Sequence, residues 1–384
     1  MNSSSFSTTA FLTTDGFTFR KGMPAAEAAM KALWADCFPE DRESGFIPFY
    51  FARRYDADHT YLAYRGETLC AMAHAPRLTY RLAEKNFLVP YIQGVATAPP
   101  LRGRHLANRL LAWALRDARQ DGLAFGLLKP FNVSFYAKSG WSVFSRLREI
   151  PTALLTPPAS CPAAGRFLEW QTADPPVEEL DRVFRQWIGR NGNAHPLRGP
   201  ADWRLLLRDH RQDGGRLFLF FTGDKLRGYS LYREEKRQII LRETAAADAA
   251  VFWRLLQETT AVSNRERQKP LLLQLPERPP FFNGDCLTEK EARPFTMARV
   301  IHAPALLRAL PLLPPTEIVS LKDEVIPENN LILQGDGQKG TNGNFRRQIP
   351  TNRLTMLLTE WYNLNKEETD GKTPRGCAYF NEYF

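Results

Sequence analysis

Residues 89–141 read VPYIQGVATAPPLRGRHLANRLLAWALRDARQDGLAFGLLKPFNVSFYAKSGW, and their reading decides the fold. An apolar strand ends at Thr97, and Pro99 and Pro100 break it from the next element. Leu106, Ala107, Leu110, Leu111, Ala114, Leu115 and Ala118 then recur at a period near 3.6, while Arg109, Arg116, Arg119 and Gln120 fall elsewhere, which predicts an amphipathic helix. Asp121 and Gly122 stop it. A second apolar strand and a second helix come after it. The first-turn amides near Arg104 to Leu106 have no acceptor inside the helix, and a helix start is the positive end of its dipole. Together with Arg102 and Arg104 they make an anion site suited to a pyrophosphate.

The loop Arg102-Gly103-Arg104-His105-Leu106-Ala107 resembles the pyrophosphate loop of the GNAT N-acetyltransferases, Arg/Gln-x-x-Gly-x-Gly/Ala. His105 stands where that family has glycine, so either its side chain swings outward or the loop sits further from the ligand. Downstream, Asn132, Phe135, Tyr136, Lys138, Gly140 and Trp141 match the family segment Asn…Phe-Tyr-x-Lys-x-Gly-aromatic. The resemblance implies acetyl-CoA as cosubstrate, with no metal. The backbone of Val95, Ala96 and Thr97 is expected at the thioester carbonyl, and Arg102 to Ala107, Asn132 and Phe135 around the coenzyme. Tyr136, with an ordinary pKa of about 10, is expected to protonate the departing thiolate and is a poor base at neutral pH. The competing readings, which carry less weight, are a packed aromatic for Tyr136 and a solvated basic loop for the arginines.

The remainder of the chain fits around that stretch. A helix over 24–38, an acidic cluster at Glu40, Asp41 and Glu43, a short aromatic helix over 46–54 and strands at 60–64, 67–75 and 78–82 precede it. In the family layout Trp34, Phe38, Glu40 and Asp41 lie over the acceptor side, where carboxylates and aromatic faces attract a cationic amine; the other reading is a solvated turn after a helix. A Pro- and Ala-rich boundary at 151–165 separates a looser repeat of the same plan, with helices at 177–190, 201–210 and 249–265 and strands at 216–222, 226–233, 237–243 and 270–275. Only TAAAD stands where the arginine-glycine loop would be, so this second domain is expected to have lost the coenzyme site.

The last region resembles the sterol-carrier-like domain of the enhanced intracellular survival acetyltransferases, through MARVIHAPALLRAL and EIVSLKDEVIPENN, and Thr351 is expected to cap a final helix. The chain ends CAYFNEYF, and so aromatic an ending predicts burial of the terminal carboxylate. In that family this carboxylate reaches the cleft as the proposed base, which here is Phe384, with Glu382 beside it. Its ordinary pKa of roughly 3.5 requires desolvation, relay through water, or a role limited to holding a cationic substrate.

The expected fold class is therefore α/β (α+β): a flexible leader at 1–17, a catalytic domain at 18–152, a degenerate acetyltransferase-like domain at 153–290 and a sterol-carrier-like domain at 291–384. The acceptor is an aminoglycoside-like amine or a lysine side chain, and the family habit is a homo-oligomer, often a hexamer. Net charge is +9, from 51 basic and 42 acidic residues, but the basic residues are scattered and carry no nucleic-acid motif. No run approaches a membrane span. The five scattered cysteines show neither metal nor redox spacing and fit a reducing, cytoplasmic setting. Two rivals stay open, a non-catalytic acyl-CoA-binding regulatory protein and a lipid carrier.

Overall fold

The computed structural model describes residues 11–12, 15–42, 45–82, 84–155, 164–172, 174–191, 194–266, 269–276, 281, 292–340 and 347–364. Glu43, Glu382 and Phe384 lie outside the described residues, so the readings placed on them have no structural counterpart. Two compact units emerge. One takes Met1–Thr79, Phe87–Ser142 and Met297–Leu358, and the other Tyr80–Asn86, Val143–Thr296 and Thr359–Phe384. Residues 297–358, expected in a domain of their own, thus cluster with the first acetyltransferase-like stretch.

In the first unit antiparallel strands Thr18–Lys21, Thr60–Arg65 and Thr68–His74 lead to the long strand Lys85–Thr97. Period-two alternation sorts their side chains. Tyr61, Ala63, Ala71 and Ala73 face helix Leu106–Gln120, whose Leu106, Leu110, Leu111, Ala114, Leu115 and Ala118 are all buried, as their spacing predicts. Leu62, Tyr64 and Met72 face the opposite side, against helix Glu27–Cys37 and helix Phe46–Arg53. Fully burying one such leucine is worth about 1.5–3 kcal/mol, so this single helix anchors the layer. Strand Phe125–Leu128 runs parallel to the long strand, and on its other side Arg293–Val300 pairs antiparallel, Met297 opposite Leu128 and Val300 opposite Phe125. Beyond it come helix Ala303–Ala309 and a sheet of Ile318–Lys322 between Ile332–Gln334 and Arg347–Pro350.

Thr351 does not cap the last helix as expected. It is the first residue of Thr351–Leu364, and its hydroxyl donates to the Lys322 carbonyl at 3.2 Å. That bond ties the start of the helix to the neighbouring strand Ile318–Lys322, which runs parallel to Arg347–Pro350.

The second unit repeats the plan. Strands Arg166–Glu169, Gly215–Thr222, Lys225–Glu234 and Ile239–Ala246 are antiparallel neighbours, and Leu271–Pro276 joins parallel to the last after the crossover helix Ala249–Glu266. Leu217, Leu219 and Phe221 pack toward helices Val177–Asn191 and Pro200–Gln212, while Phe218 and Phe220 pack toward Ala249–Glu266. No helix among the described residues is long and apolar enough to cross a membrane.

Candidate active site

The site begins with a defect in the long strand. His74 pairs with Gln93 and Met72 with Ala96, so two steps on one strand match three on the other, and the extra residue falls at Gly94 and Val95. Gly94 has φ +54°, and a Cβ there would lie 2.6 Å from the Trp34 ring, so only glycine fits. The bulge also turns the strand over. Ile92 belongs to the core beneath helix Leu106–Gln120, whereas Ala96, of the same parity, packs on the opposite face.

The bulge coincides with a parting of strands. Lys85–Thr97 pairs with Phe125–Leu128 only at Tyr91 with Leu127 and Ile92 with Leu128, where the shorter strand ends. On the far edge Ala98 N–H donates to the Cys70 carbonyl at 2.9 Å, so Ala98 and Ala96 direct their backbone groups toward Thr68–His74. By alternation Thr97, and Val95 at the bulge, turn theirs into the opening. The Cys37 thiol donating to the Thr97 carbonyl at 3.5 Å agrees. Of the three residues expected at a thioester carbonyl, Val95 and Thr97 therefore offer free donors and Ala96 contributes wall.

Beyond the strand, Gly103 has φ +81° and His105 φ +57°, so the loop makes two left-handed turns before Leu106. His105 thus holds a backbone conformation that favours glycine, at a steric cost of about 1–2 kcal/mol. The residue is exposed, so the loop carries the side chain without burying it. No side chain caps helix Leu106–Gln120, and Arg109 N–H returns to the His105 carbonyl at 3.1 Å, so the amides of Leu106, Ala107 and Asn108 are left for an external acceptor. A Cβ on Gly103 would meet nothing within 4 Å, so the turn is open as well. These features fit a coenzyme pyrophosphate.

A cavity of about 700 Å³ joins the two features. Val95, Ala96 and Thr97 line it together with Arg102, Gly103, His105, Leu106 and Ala107, and so do Phe38, Glu40 and Phe135. Arg104 is exposed and lies off the lining. Lys138 of the downstream motif lines it too, and sequence reasoning missed Cys37, Leu101, Asn108 and Phe131, which complete the lining. Phe131 carried a signal, an aromatic residue just before the Asn132 motif, and it is 70 % exposed.

Asn132 does not line the cavity. It caps the short helix Val133–Ala137, accepting from Phe135 N–H at 3.1 Å, and so fixes the turn that carries Tyr136. Tyr136 is 3 % exposed and stands directly behind the lining, its ring 5.0 Å from Phe135 and 5.6 Å from Phe131. Burial raises its pKa above the ordinary phenol value, so it holds its proton throughout the neutral range. Two arginines, Arg299 buried and Arg119 half-buried, fix the surrounding helices. Arg299 gives Nε–H to the Ser139 carbonyl at 2.6 Å and pairs with Asp323 at 2.7 Å, while Arg119, near the end of Leu106–Gln120, donates to Asn329 at 2.7 Å. Asn329 donates to Asp323 at 2.9 Å, so one polar network grips both helices that frame the cavity.

Comparison with known proteins bears directly on this geometry. Residues 18–144 match the profile of the acetyltransferase (GNAT) domain. The chain carries a GNAT acetyltransferase domain. It is an acyltransferase, drawing on an acyl-CoA and passing the acyl group to an amine. Among solved structures, a conserved Enterococcus faecalis protein, a probable N-acyltransferase, superposes with TM-score 0.73 at 16% identity, covering 96% of this chain and 100% of that one. A GCN5-related N-acetyltransferase from Anabaena variabilis gives TM-score 0.70 at 16% identity, again over 96% and 100%. Eis1 from Mycobacterium abscessus gives TM-score 0.63 at 15% identity over 91% and 92%. At such identities the likeness is one of fold. No curated protein matches the chain in sequence.

The residues expected on the acceptor side divide. Phe38 and Glu40 reach the cavity, but Trp34 is 3 % exposed and donates Nε1–H to Asp41 at 2.9 Å, so these two are engaged with each other. Trp34 centres an aromatic cluster with Phe38, Phe46, Tyr50, Phe51 and His74. His74, which the sequence did not single out, is fully buried, and desolvation lowers its pKa to about 3. Thr60 donates its hydroxyl to the Asp56 carbonyl at 2.6 Å and therefore accepts from His74 Nδ1 at 3.0 Å, leaving Nε2 as a buried acceptor.

Proposed function

We propose that this acetyltransferase moves an acetyl group from acetyl-CoA to a primary amine of a cationic molecule, either an aminoglycoside-like compound or a lysine side chain. The observation that carries the reading is the cavity joining the parted strand at Val95–Thr97 to the open helix start at Leu106. Arg102 and the amides of residues 106–108 hold the pyrophosphate, and the N–H groups of Val95 and Thr97 receive the thioester oxygen as it gains negative charge. The neutral amine attacks the thioester carbon, the C–S bond breaks, and Tyr136 passes its proton to the departing sulfur. The tyrosine's raised pKa supports the acid role, since a phenol that keeps its proton can donate it and cannot serve as base. The amine's proton goes to the Phe384 carboxylate, directly or through water. The exposed carboxylate of Glu40 draws the cation to the cavity. This reading retains the sterol-carrier-like C-terminal domain at 291–384, a homo-oligomer and a cytoplasmic site of action.

The test is release of coenzyme thiol from acetyl-CoA with aminoglycosides, polyamines and lysine peptides, by the chain with its own C-terminus and by a version extended past Phe384. Amine-dependent release abolished by the extension supports both the acceptor class and the terminal carboxylate. If acetyl-CoA binds and no amine prompts release from either version, the reading fails.

A further inference from the structure

The second unit contains a groove of about 550 Å³ whose chemistry is one-sided. Helix Pro200–Gln212 presents Arg204, Arg208 and Arg211 to it, at i, i+4 and i+7 and so on one helix face. Arg216 enters from strand Gly215–Thr222, and Trp170 from the chain just past Arg166–Glu169, where its backbone N–H donates to the Leu217 carbonyl at 2.8 Å. Glu169 is the single carboxylate among the lining residues.

The donors outnumber the acceptors. Arg216 is fully engaged, bonded to Glu169 at 2.6 and 2.9 Å and to Glu266 at 2.8 Å, which also removes Glu169 as a partner for anything else. Arg211 gives one N–H to the Thr172 carbonyl at 2.9 Å, and Arg204 stands 4.0 Å from an Asp174 side chain that is 87% exposed, a contact worth little. Arg208 has no partner among the described residues, and the buried Trp170 indole N–H has none either. A buried donor left unpaired costs about 1–3 kcal/mol, so this one calls for an acceptor. A water could satisfy the indole alone. It would not answer three guanidinium groups ranged over roughly 10 Å of helix, at 1.5 Å per residue, which exceeds the reach of one carboxylate or one phosphate.

We propose that this groove binds a small polyanion bearing two or more phosphate groups, held by Arg204, Arg208 and Arg211 and by the Trp170 N–H. Leu207 and Leu217, which also line the groove, pack against the uncharged part of the ligand. The proposal is independent of the acetyl-transfer reading and concerns a unit whose own strand-to-helix turn offers no phosphate site.

The test is calorimetric titration of the full chain with inorganic pyrophosphate and with ADP. Arg102→Glu serves as the background that disables the loop of the first unit, so binding that survives reports this groove. In that background both probes are expected to bind at one site, weakening more than tenfold when Arg208→Glu is added and severalfold with Trp170→Phe, which keeps the ring and removes the indole donor. Binding should also fall as salt rises. Arg208 is exposed and has no partner among the described residues, so its reversal leaves the fold and acetyl-CoA turnover unchanged. Loss of all pyrophosphate binding with Arg102→Glu alone, or binding indifferent to Arg208→Glu, overturns the proposal. So does a short RNA that binds through Arg208 while pyrophosphate and ADP do not.

Discussion

The two units turn the same corner with opposite chemistry. In each, a bulged strand leaves its parallel neighbour and gives way to a long helix: Lys85–Thr97 before Leu106–Gln120, and Ile239–Ala246 before Ala249–Glu266. In the first, residues 98–105 carry two arginines through two left-handed turns and leave the helix start uncapped. In the second, residues 247–248 suffice, and Asp248 closes the helix itself, accepting from Val251 N–H at 3.0 Å while pairing with Arg227 at 2.7 Å. A phosphate arriving there would meet a carboxylate already bonded to the amides it needs. The strand-to-helix frame is thus a scaffold, and the capacity to receive an anion lives in the loop.

Substitutions probe how far that contrast extends. The largest effect is expected at Tyr136, for which the loop comparison offers no substitute: Tyr136→Phe should lower kcat by about 10²–10⁴ with little change in coenzyme binding, read by steady-state thiol release beside calorimetry. Unchanged turnover removes the acid role. Arg102→Glu comes next, placing in the first loop the kind of charge that Asp248 gives the second. It should raise the KM for acetyl-CoA by roughly one to two orders of magnitude and leave kcat near its wild-type value. A fall confined to kcat would mean that Arg102 acts on the reaction and not on the phosphates.

The interiors of the units compare through buried histidines. Burial lowers the pKa of His74 to about 3 and that of His210 to about 4. Both are neutral in the fold, while the unfolded chain binds a proton at each near pH 6.5. Their contribution is therefore complete above about pH 6.5 and is lost as pH falls, at about 1.4 kcal/mol per pH unit for each, until the folded value is reached. Between pH 6.5 and 5 each histidine should remove about 2 kcal/mol, measurable by denaturant unfolding. His74→Met should lose correspondingly less over that interval, and an unaltered acid slope would show that His74 is wet.

Asp248→Ala should cost about 1 kcal/mol as a lost cap, lower Tm by a few degrees and leave turnover alone. If it instead created a second coenzyme site, the frame would bind phosphates without the arginine loop.

The sequence made the frame legible because it depends on periodicity: seven apolar residues of helix 106–120 read at helical spacing, and alternate strand residues sorted themselves between two cores. What it hid depends on partners far along the chain. Trp34 and Asp41 look like acceptor-side residues until each is seen to bond the other, and Arg119 and Arg299 look like ordinary surface charges until Asn329 and Asp323 are found beside them. The strand bulge was hidden for another reason. Gly94 reads as a strand-weakening residue, and only the packing of Trp34 beneath it shows why no side chain is admitted.

The smallest expected effect bears on the loop itself. His105 holds a left-handed conformation at φ +57° and ψ 19°, which disfavours any residue with a Cβ by about 1–2 kcal/mol. Glycine would relieve that strain but bring back about 0.5–1 kcal/mol of unfolded-chain entropy, so His105→Gly should stabilise by about 1 kcal/mol or less. Because His105 is exposed and the amides of residues 106–108 have no acceptor among the described residues, the KM for acetyl-CoA should move less than about threefold. A tenfold fall in KM would instead mean that the ring holds the loop away from the phosphates, and that the two units differ less in their willingness to bind an anion than the present geometry requires.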